Sequence, residues 1–306
     1  MSGLVYDCFL FFNELDILEM RLNILSGIVD KFVLVEADKT FSNMQKPLFF
    51  ENNQDRYLQF LDKIIYIKII DYPEYKDAWN MEYYQRNKII EGIRCCDTND
   101  TILVSDVDEI PNPNTIKYYK ENKIGLYALI QDYYNYYLNY KRCVFRTWDL
   151  AKIARYEDII KLNYTPQQLR DSKTDKVIKN GGWHFSHQGG IKKIKYKIEA
   201  FSHQEYNNEK YTGNEILEEK IHRGLDIYNR KDYRFKPVKI TKATYPVYIF
   251  NNKEKYSKFI YAKIKLSVTL INTSYCLIIW LTGIIQECYK KLFRRKFYHE
   301  TLSAEI

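Results

Sequence analysis

Apolar residues recur along the first 130 residues with two different periods. Val5–Phe12 is a short apolar run, broken by Asp7, with the length of a strand. Asn13 and Glu14 follow, and then Leu15, Leu18, Leu22 and Leu25 fall at helical spacing until Gly27 closes the helix. Lys31–Glu36, Lys63–Ile70 and Thr101–Ser105 read as three further strands, and Gly125–Gln131 as a fifth. Asp77–Arg94 reads as a helix with a stripe at Trp79, Tyr83, Arg86, Ile90 and Ile93. Mostly apolar strands alternating with helices predict an α/β fold, a mostly parallel sheet with helices on both faces. Ligands of such sheets sit beyond the carboxyl ends of the strands. That rule singles out Asn13 and Glu14, Glu36, and Asp106-Val107-Asp108. Neither a GxGxxG nor a GxxxxGK[ST] motif occurs, which excludes the usual dinucleotide fingerprint and the P-loop.

Residues 131–260 are less regular. They hold an aromatic run (Asp132–Tyr140), Gly181-Gly182-Trp183-His184, a basic helical stretch over Ile191–Ala200, and Ser202-His203-Gln204-Glu205. No linker separates them from the strands, so 1–260 is taken as one domain and 261–306 as a distinct helical tail. Leu266–Ile285 has no charged residue and the length of a bilayer-spanning helix, but its hydroxyl and amide residues suit an interfacial or packed helix equally. Charge sharpens this division. From Asn251 onward ten Lys and Arg face four acids, which places +6 of the total +8 in the tail and leaves +2 on residues 1–250. A near-neutral body argues against a nucleic-acid surface. The basic tail predicts membrane contact through residues 264–297. The six cysteines lack metal-ligand spacing and read as reduced thiols. The first residues lack the basic start of a secretory leader, so the expected setting is cytoplasmic, peripheral to or anchored in a membrane through the tail.

The sharpest chemical signal is Thr101-Ile-Leu-Val-Ser-Asp106-Val107-Asp108-Glu109-Ile110-Pro111. An apolar strand delivers two carboxylates, two residues apart, to one side of its carboxyl end. Hard oxygen ligands there suit Mg²⁺ or Mn²⁺, which can neutralise a diphosphate leaving group. A phosphatase that uses its first Asp as nucleophile needs the pair after the first strand, where this chain has Asn13-Glu14.

The chain also resembles glycosyltransferase family 17. The likeness runs through Tyr6-Asp7-Cys8-Phe9, Phe12-Asn13-Glu14-Leu15-Asp16 to Arg21-Leu22, Val29-Asp30-Lys31-Phe32-Val33 and Glu36. It continues through Thr40-Phe41, Lys46-Pro47-Leu48, Trp79, Glu82, Gln85-Arg86-Asn87 and Ser105-Asp106-Val107-Asp108-Glu109-Ile110-Pro111. Gly181-Gly182-Trp183-His184-Phe185-Ser186 and Phe201-Ser202-His203-Gln204-Glu205-Tyr206 extend it, so that it spans roughly 5–260 in one order. One departure is Gly181-Gly182 where the family pattern has Ala-Gly; another is the lack of an N-terminal anchor. The resemblance implies a GT-A-like fold, a UDP-sugar donor with N-acetylglucosamine as the expected sugar, a divalent metal, and inversion at the anomeric carbon.

On that footing Asp106 and Asp108 are expected to hold the metal, with Asp106 also meeting the donor. His184 is the expected third ligand and His203 its competitor. Arg86 has two readings, an ion pair with Glu82 four residues earlier or a contact to a donor phosphate. Asn13 and Glu14 are placed to read the base or ribose, with helix capping by Asn13 as the alternative. Glu36 is placed to bind ribose or to orient another side chain. Inversion needs a general base, for which Glu205 is the first candidate and Asp132 the second. Trp183 and Tyr133–Tyr137 offer a stacking floor for the acceptor, or core packing. The expected acceptor is a glycan or a lipid-linked saccharide. A non-catalytic nucleotide-sugar or glycan-binding module on the same fold, and a membrane scaffold acting through the tail, are the alternatives.

Overall fold

Strand β1 (Val5–Phe11) is buried along its whole length and feeds two cores. Val5, Phe9 and Phe11 join one apolar cluster, and Tyr6, Cys8 and Leu10 join another on the opposite face. Burial on both faces is why the run is apolar throughout rather than alternating. The computed structural model describes residues 3–74, 77–143, 148–262 and 267–282. After β1 come helix α1 (Leu15–Leu25), β2 (Lys31–Ala37), a kinked 3-10 segment (Glu51–Lys63) and β3 (Ile64–Ile69). Helices α2 (Ala78–Asn87) and α3 (Ile89–Ile93) then lead to β4 (Thr101–Asp106). These four strands are parallel, in the order β4-β1-β2-β3.

The remaining elements make the sheet mixed. They are β5 (Glu109–Pro111), α4 (Pro113–Asn122), β6 (Tyr127–Asn135), β7 (Tyr140–Arg142), β8 (Lys152–Arg155), α5 (Tyr156–Leu162) and α6 (Pro166–Asp171). Then follow β9 (Val177–Ser186), α7 (Ile191–Ala200), α8 (Glu209–Thr212), α9 (Asn214–Arg223), β10 (Phe235–Pro237) and α10 (Val247–Asn251). β8 lies antiparallel between β4 and β6, while β9 is parallel to β6 and antiparallel to β5. The close approach of β9 explains the two glycines. A Cβ on Gly182, which has φ +143°, would stand 2.1 Å from the Ile110 carbonyl oxygen, and one on Gly181 2.7 Å from the Ile130 nitrogen. Gly181 therefore suits this chain where the family pattern carries Ala.

Two expectations change in detail. The helix expected over 77–94 is two helices that meet at Lys88. The expected stripe is divided between two environments. Trp79, Tyr83 and Ile90 are exposed, while Met81, Gln85, Arg86, Ile89 and Ile93 are buried. The strand expected over 125–131 runs on to Asn135, so the aromatic residues Tyr133 and Tyr134 are strand residues buried on opposite faces.

Helix α11 covers residues 267–282. Asn272, buried, donates from Nδ2 to the Arg223 and Phe235 carbonyls at 2.9 and 2.8 Å, which fixes α11 to the end of α9 and to β10. Among the described residues no helix is long and apolar enough to cross a membrane. The rest of the expected contact region, 264–266 and 283–297, lies outside the described residues, as does Cys288.

One polar group sits deep in the apolar layer. Arg21 of α1 is fully buried and grips Asp7 of β1 with Nε and Nη2 at 2.8 and 2.6 Å. Its Nη2 also reaches Ser105 Oγ at 2.6 Å, and its Nη1 donates to the carbonyls of Asp106, Val107 and Glu109 at 2.6, 3.2 and 3.1 Å. Asp7, an interruption in the apolar run, is thus the buried partner of an arginine. Replacing Arg21 by Met leaves Asp7 charged and unpaired in the core. The expected loss is about 3–5 kcal/mol of stability by denaturant unfolding, and Arg21→Lys recovers only part of it, because an ammonium cannot span all these acceptors.

Candidate active site

The carboxyl ends of β1 and β4 open onto one cleft of about 400 Å³. Phe12, Glu14 and Lys46 line one side; Asp106, Asp108 and His184 lie at its floor; Trp79, Tyr83, His203 and Tyr206 form an aromatic rim. The turn after β4 is shaped by Arg21 from below and by Glu109 from within, whose Oε2 accepts from the Asp106 backbone N–H at 2.9 Å.

Two groups of charges result. In the first, Asp106 is held at both oxygens, Oδ1 by Arg86 at 2.9 Å and Oδ2 by Arg170 at 2.6 Å. Arg86 also binds Glu82 at 2.9 Å and the Gln167 side chain at 2.7 Å. Arg170 binds Glu109 twice, at 2.6 and 2.7 Å, and Trp148 Nε1 donates to the same carboxylate. Burial pushes the Glu109 pKa up, but the Arg170 guanidinium outweighs it and holds the group at about 2. In the second group, Asp108 Oδ2 meets Lys197 Nζ at 2.8 Å and Oδ1 faces His184 Nε2 at 3.4 Å. Lys197 also reaches Glu14 at 3.1 Å. Burial opposes ionisation of Asp108, yet Lys197 and His184 hold it well below the usual carboxylate range. For Lys197 burial acts against the charge, and Asp108 and Glu14 more than offset it.

His184 is positioned by register. It lies opposite Glu109 in the β5–β9 pairing and stacks on Tyr133, with ring centroids 4.7 Å apart. Its Nδ1 is buried without a hydrogen-bond partner in the structure. Behind it, His187 bridges Asn135 and Tyr228 at 3.0 Å each; burial holds its pKa well below the ordinary value, so it is neutral.

The structure therefore brings together Glu14, Arg86, Asp106, Asp108 and His184, all expected from the sequence. Both readings of Arg86 find support, since it pairs with Glu82 and also lines the cleft. The other candidates stand elsewhere. Glu36 is fully buried and accepts from the backbone of Phe50 at 3.0 Å and from Tyr66 at 3.0 Å, so it shapes the 50–51 turn rather than touching ribose. It also lies 3.7 Å from Lys46, which does line the cleft. Asn13 is outside the lining and makes no side-chain cap, as α1 begins from Glu14 without one. Glu205 is exposed, tied to His203 at 2.6 Å, and Asp132 is tied to Lys141 at 2.7 Å; neither carboxylate lines the cleft. Trp183 packs on the core with its Nε1 bonded to the Thr244 carbonyl, and of the tyrosine run only Tyr133 lines the cleft. Sequence reading did not single out Arg170 or Lys197. Neither sits in a chemical motif, and only the fold brings them to Asp106 and Asp108.

Among the described residues no cluster of three or more His, Cys, Asp or Glu side chains is arranged to hold an ion. Asp106 carries a guanidinium on each of its oxygens. Asp108 and His184 face each other as a two-donor site, the kind that Mg²⁺ or Mn²⁺ completes with water and substrate phosphates.

The profile of glycosyltransferase family 17 matches residues 2–265. The chain belongs to glycosyltransferase family 17. Its mixed sheet with a parallel core is the GT-A-type arrangement expected of this family. It is 26% identical over 118 residues to the β-1,4-mannosyl-glycoprotein 4-β-N-acetylglucosaminyltransferase of Homo sapiens, a stretch covering 35% of this chain and 22% of that protein. The Rattus norvegicus protein of the same description matches equally. The chain thus spans about a fifth of the length of these relatives. Among solved structures, a mannosyltransferase from Pyrobaculum calidifontis in complex with GDP-Man and Mn²⁺ aligns at 10% identity and a TM-score of 0.35, covering 59% of this chain and 57% of that one.

The Glu109–Arg170 pair has a pH consequence. A carboxylate whose pKa falls from 4.5 unfolded to about 2 folded adds stability that is complete above pH 4.5 and is lost as the pH falls toward 2. Thermal unfolding against pH should show that acid limb in the wild type. Glu109→Gln should be less stable at neutral pH, by about 3 kcal/mol, with a shallower limb.

Proposed function

We propose that this family 17 protein transfers a sugar, N-acetylglucosamine in the first instance, from a UDP-sugar to a saccharide acceptor with inversion. The observation that carries the reading is the convergence, at the end of β4, of Asp108 and His184 with the cations Arg86, Arg170 and Lys197 in one cleft. The cations suit a diphosphate, and Arg86 and Arg170 are preorganised by Asp106 rather than by the ligand. Asp108 and His184 would hold a divalent ion, whose charge would help the diphosphate leave. Phe12 and Lys46, beside Glu14, suit the uridine end of the donor. The aromatic rim of Trp79 and Tyr206 suits the apolar face of an acceptor sugar.

The base is assigned by elimination. Of the five acids that line the cleft, Glu14, Glu82, Asp106 and Asp108 each have a cationic partner. Asp171, at the end of α6, accepts from the neutral Gln167 amide at 2.7 Å and has no ion pair among the described residues. In the proposed step Asp171 takes the proton of the acceptor hydroxyl as its oxygen bonds to the anomeric carbon. The bond from that carbon to the phosphate oxygen breaks, and its electron pair leaves with UDP.

UDP should raise the melting temperature of the wild type more strongly with Mn²⁺ than without, and Asp108→Asn should lose the metal-dependent part. Absence of any UDP effect in the wild type would overturn the nucleotide assignment. Asp171→Asn should keep UDP binding and lose about 10²–10⁴ in kcat, whereas Glu205→Gln and Asp132→Asn stay near wild type. Full activity in Asp171→Asn would return the base to those two candidates.

A further inference from the structure

Helix α11 has two unlike sides. One is docked: Asn272 is held by the Arg223 and Phe235 carbonyls, Cys276 is buried, and the Arg234 guanidinium lies 4.2 Å from the Tyr275 ring centre. The other carries Leu270, Ile271, Leu277, Ile278 and Leu281, which are 45–63% exposed. At a helical turn of 100° per residue these five fall within about 120° of arc, opposite Asn272 and Cys276. The stripe is broken only by Ser274 and bordered by Ser267. Five large aliphatic residues aligned on one outward face form a patch that a soluble surface rarely leaves open.

We propose that this outward face of α11 is a membrane-surface contact that lies among the headgroups of an anionic bilayer. Charge selects this occupant. Lys263 and Lys265 precede the helix in sequence, and Lys290, Lys291, Arg294, Arg295 and Lys296 follow it, against the three acids Glu287, Glu300 and Glu305. Such flanks are drawn to anionic lipid phosphates, each basic residue adding to the attraction. A second copy of the chain carries the same positively charged flanks in its sequence, which disfavours self-association. The helix lies on the bilayer rather than across it. Its opposite side is bonded to the domain through Asn272. This inference stands apart from the transfer reading, since none of these residues lines the cleft.

The test is flotation of the full chain with phosphatidylcholine vesicles, with and without phosphatidylglycerol. The wild type should float with the anionic vesicles and about tenfold less with the neutral ones, with added salt releasing it. Ile271→Asp/Ile278→Asp should lower the bound fraction about tenfold with an unchanged melting temperature. Leu277→Ser/Leu281→Ser, which adds no charge, gives the same comparison should the aspartates disturb folding. A wild type that stays unbound to both vesicle types would overturn the proposal, as would variants that float like it. A lipid-free dimer by light scattering that the variants dissolve would assign the face to self-association instead.

Discussion

The buried Asp7–Arg21 pair joins the middle of β1 to the turn after β4, and the geometry of the cleft depends on that join. Taking two charges out of water is costly, and a single ion pair in an apolar layer does not recover the cost. Here the guanidinium also bonds Ser105 Oγ and three backbone carbonyls. Those carbonyls belong to Asp106, Val107 and Glu109, the residues that set where the carboxylates point. A turn that would otherwise be free to flex is thereby tied to the strand beside it. Helix α1 is where it is partly because Arg21 must reach this point.

Around that turn the carboxylates take different tasks according to their partners. Asp106 and Glu109 share Arg170, and Asp106 also holds Arg86, so two guanidiniums are fixed where they line the cleft. Asp108 has a lysine on one oxygen and an imidazole facing the other, an arrangement that leaves room for exchange. Asp171 accepts from an amide and forms no ion pair among the described residues. Proximity in sequence would group Asp106 with Asp108; their neighbours separate them.

Much of the fold was legible because β1, β2 and β4 are buried on both faces, and that demand writes long apolar runs. The antiparallel strands were harder to see. β5, β7 and β10 are three residues each, too short to carry a period. The stripe over 77–94 was read as one face, but Trp79, Tyr83 and Ile90 are exposed while Arg86 and Ile93 are buried, because two helices meeting at Lys88 do not share one face. Among site residues, those at strand ends were legible from position alone. Arg170 and Lys197 sit on helices far along the chain, and nothing local marks them. Glu205 and Asp132 attracted attention by standing among other polar or aromatic residues, but neither carboxylate lines the cleft.

Lys197 spans the two halves of the floor, from Glu14 after β1 to Asp108 after β4. One ammonium on α7 therefore couples two loops that the sheet alone keeps apart, so that a change at either carboxylate is felt at the other through the cation they share.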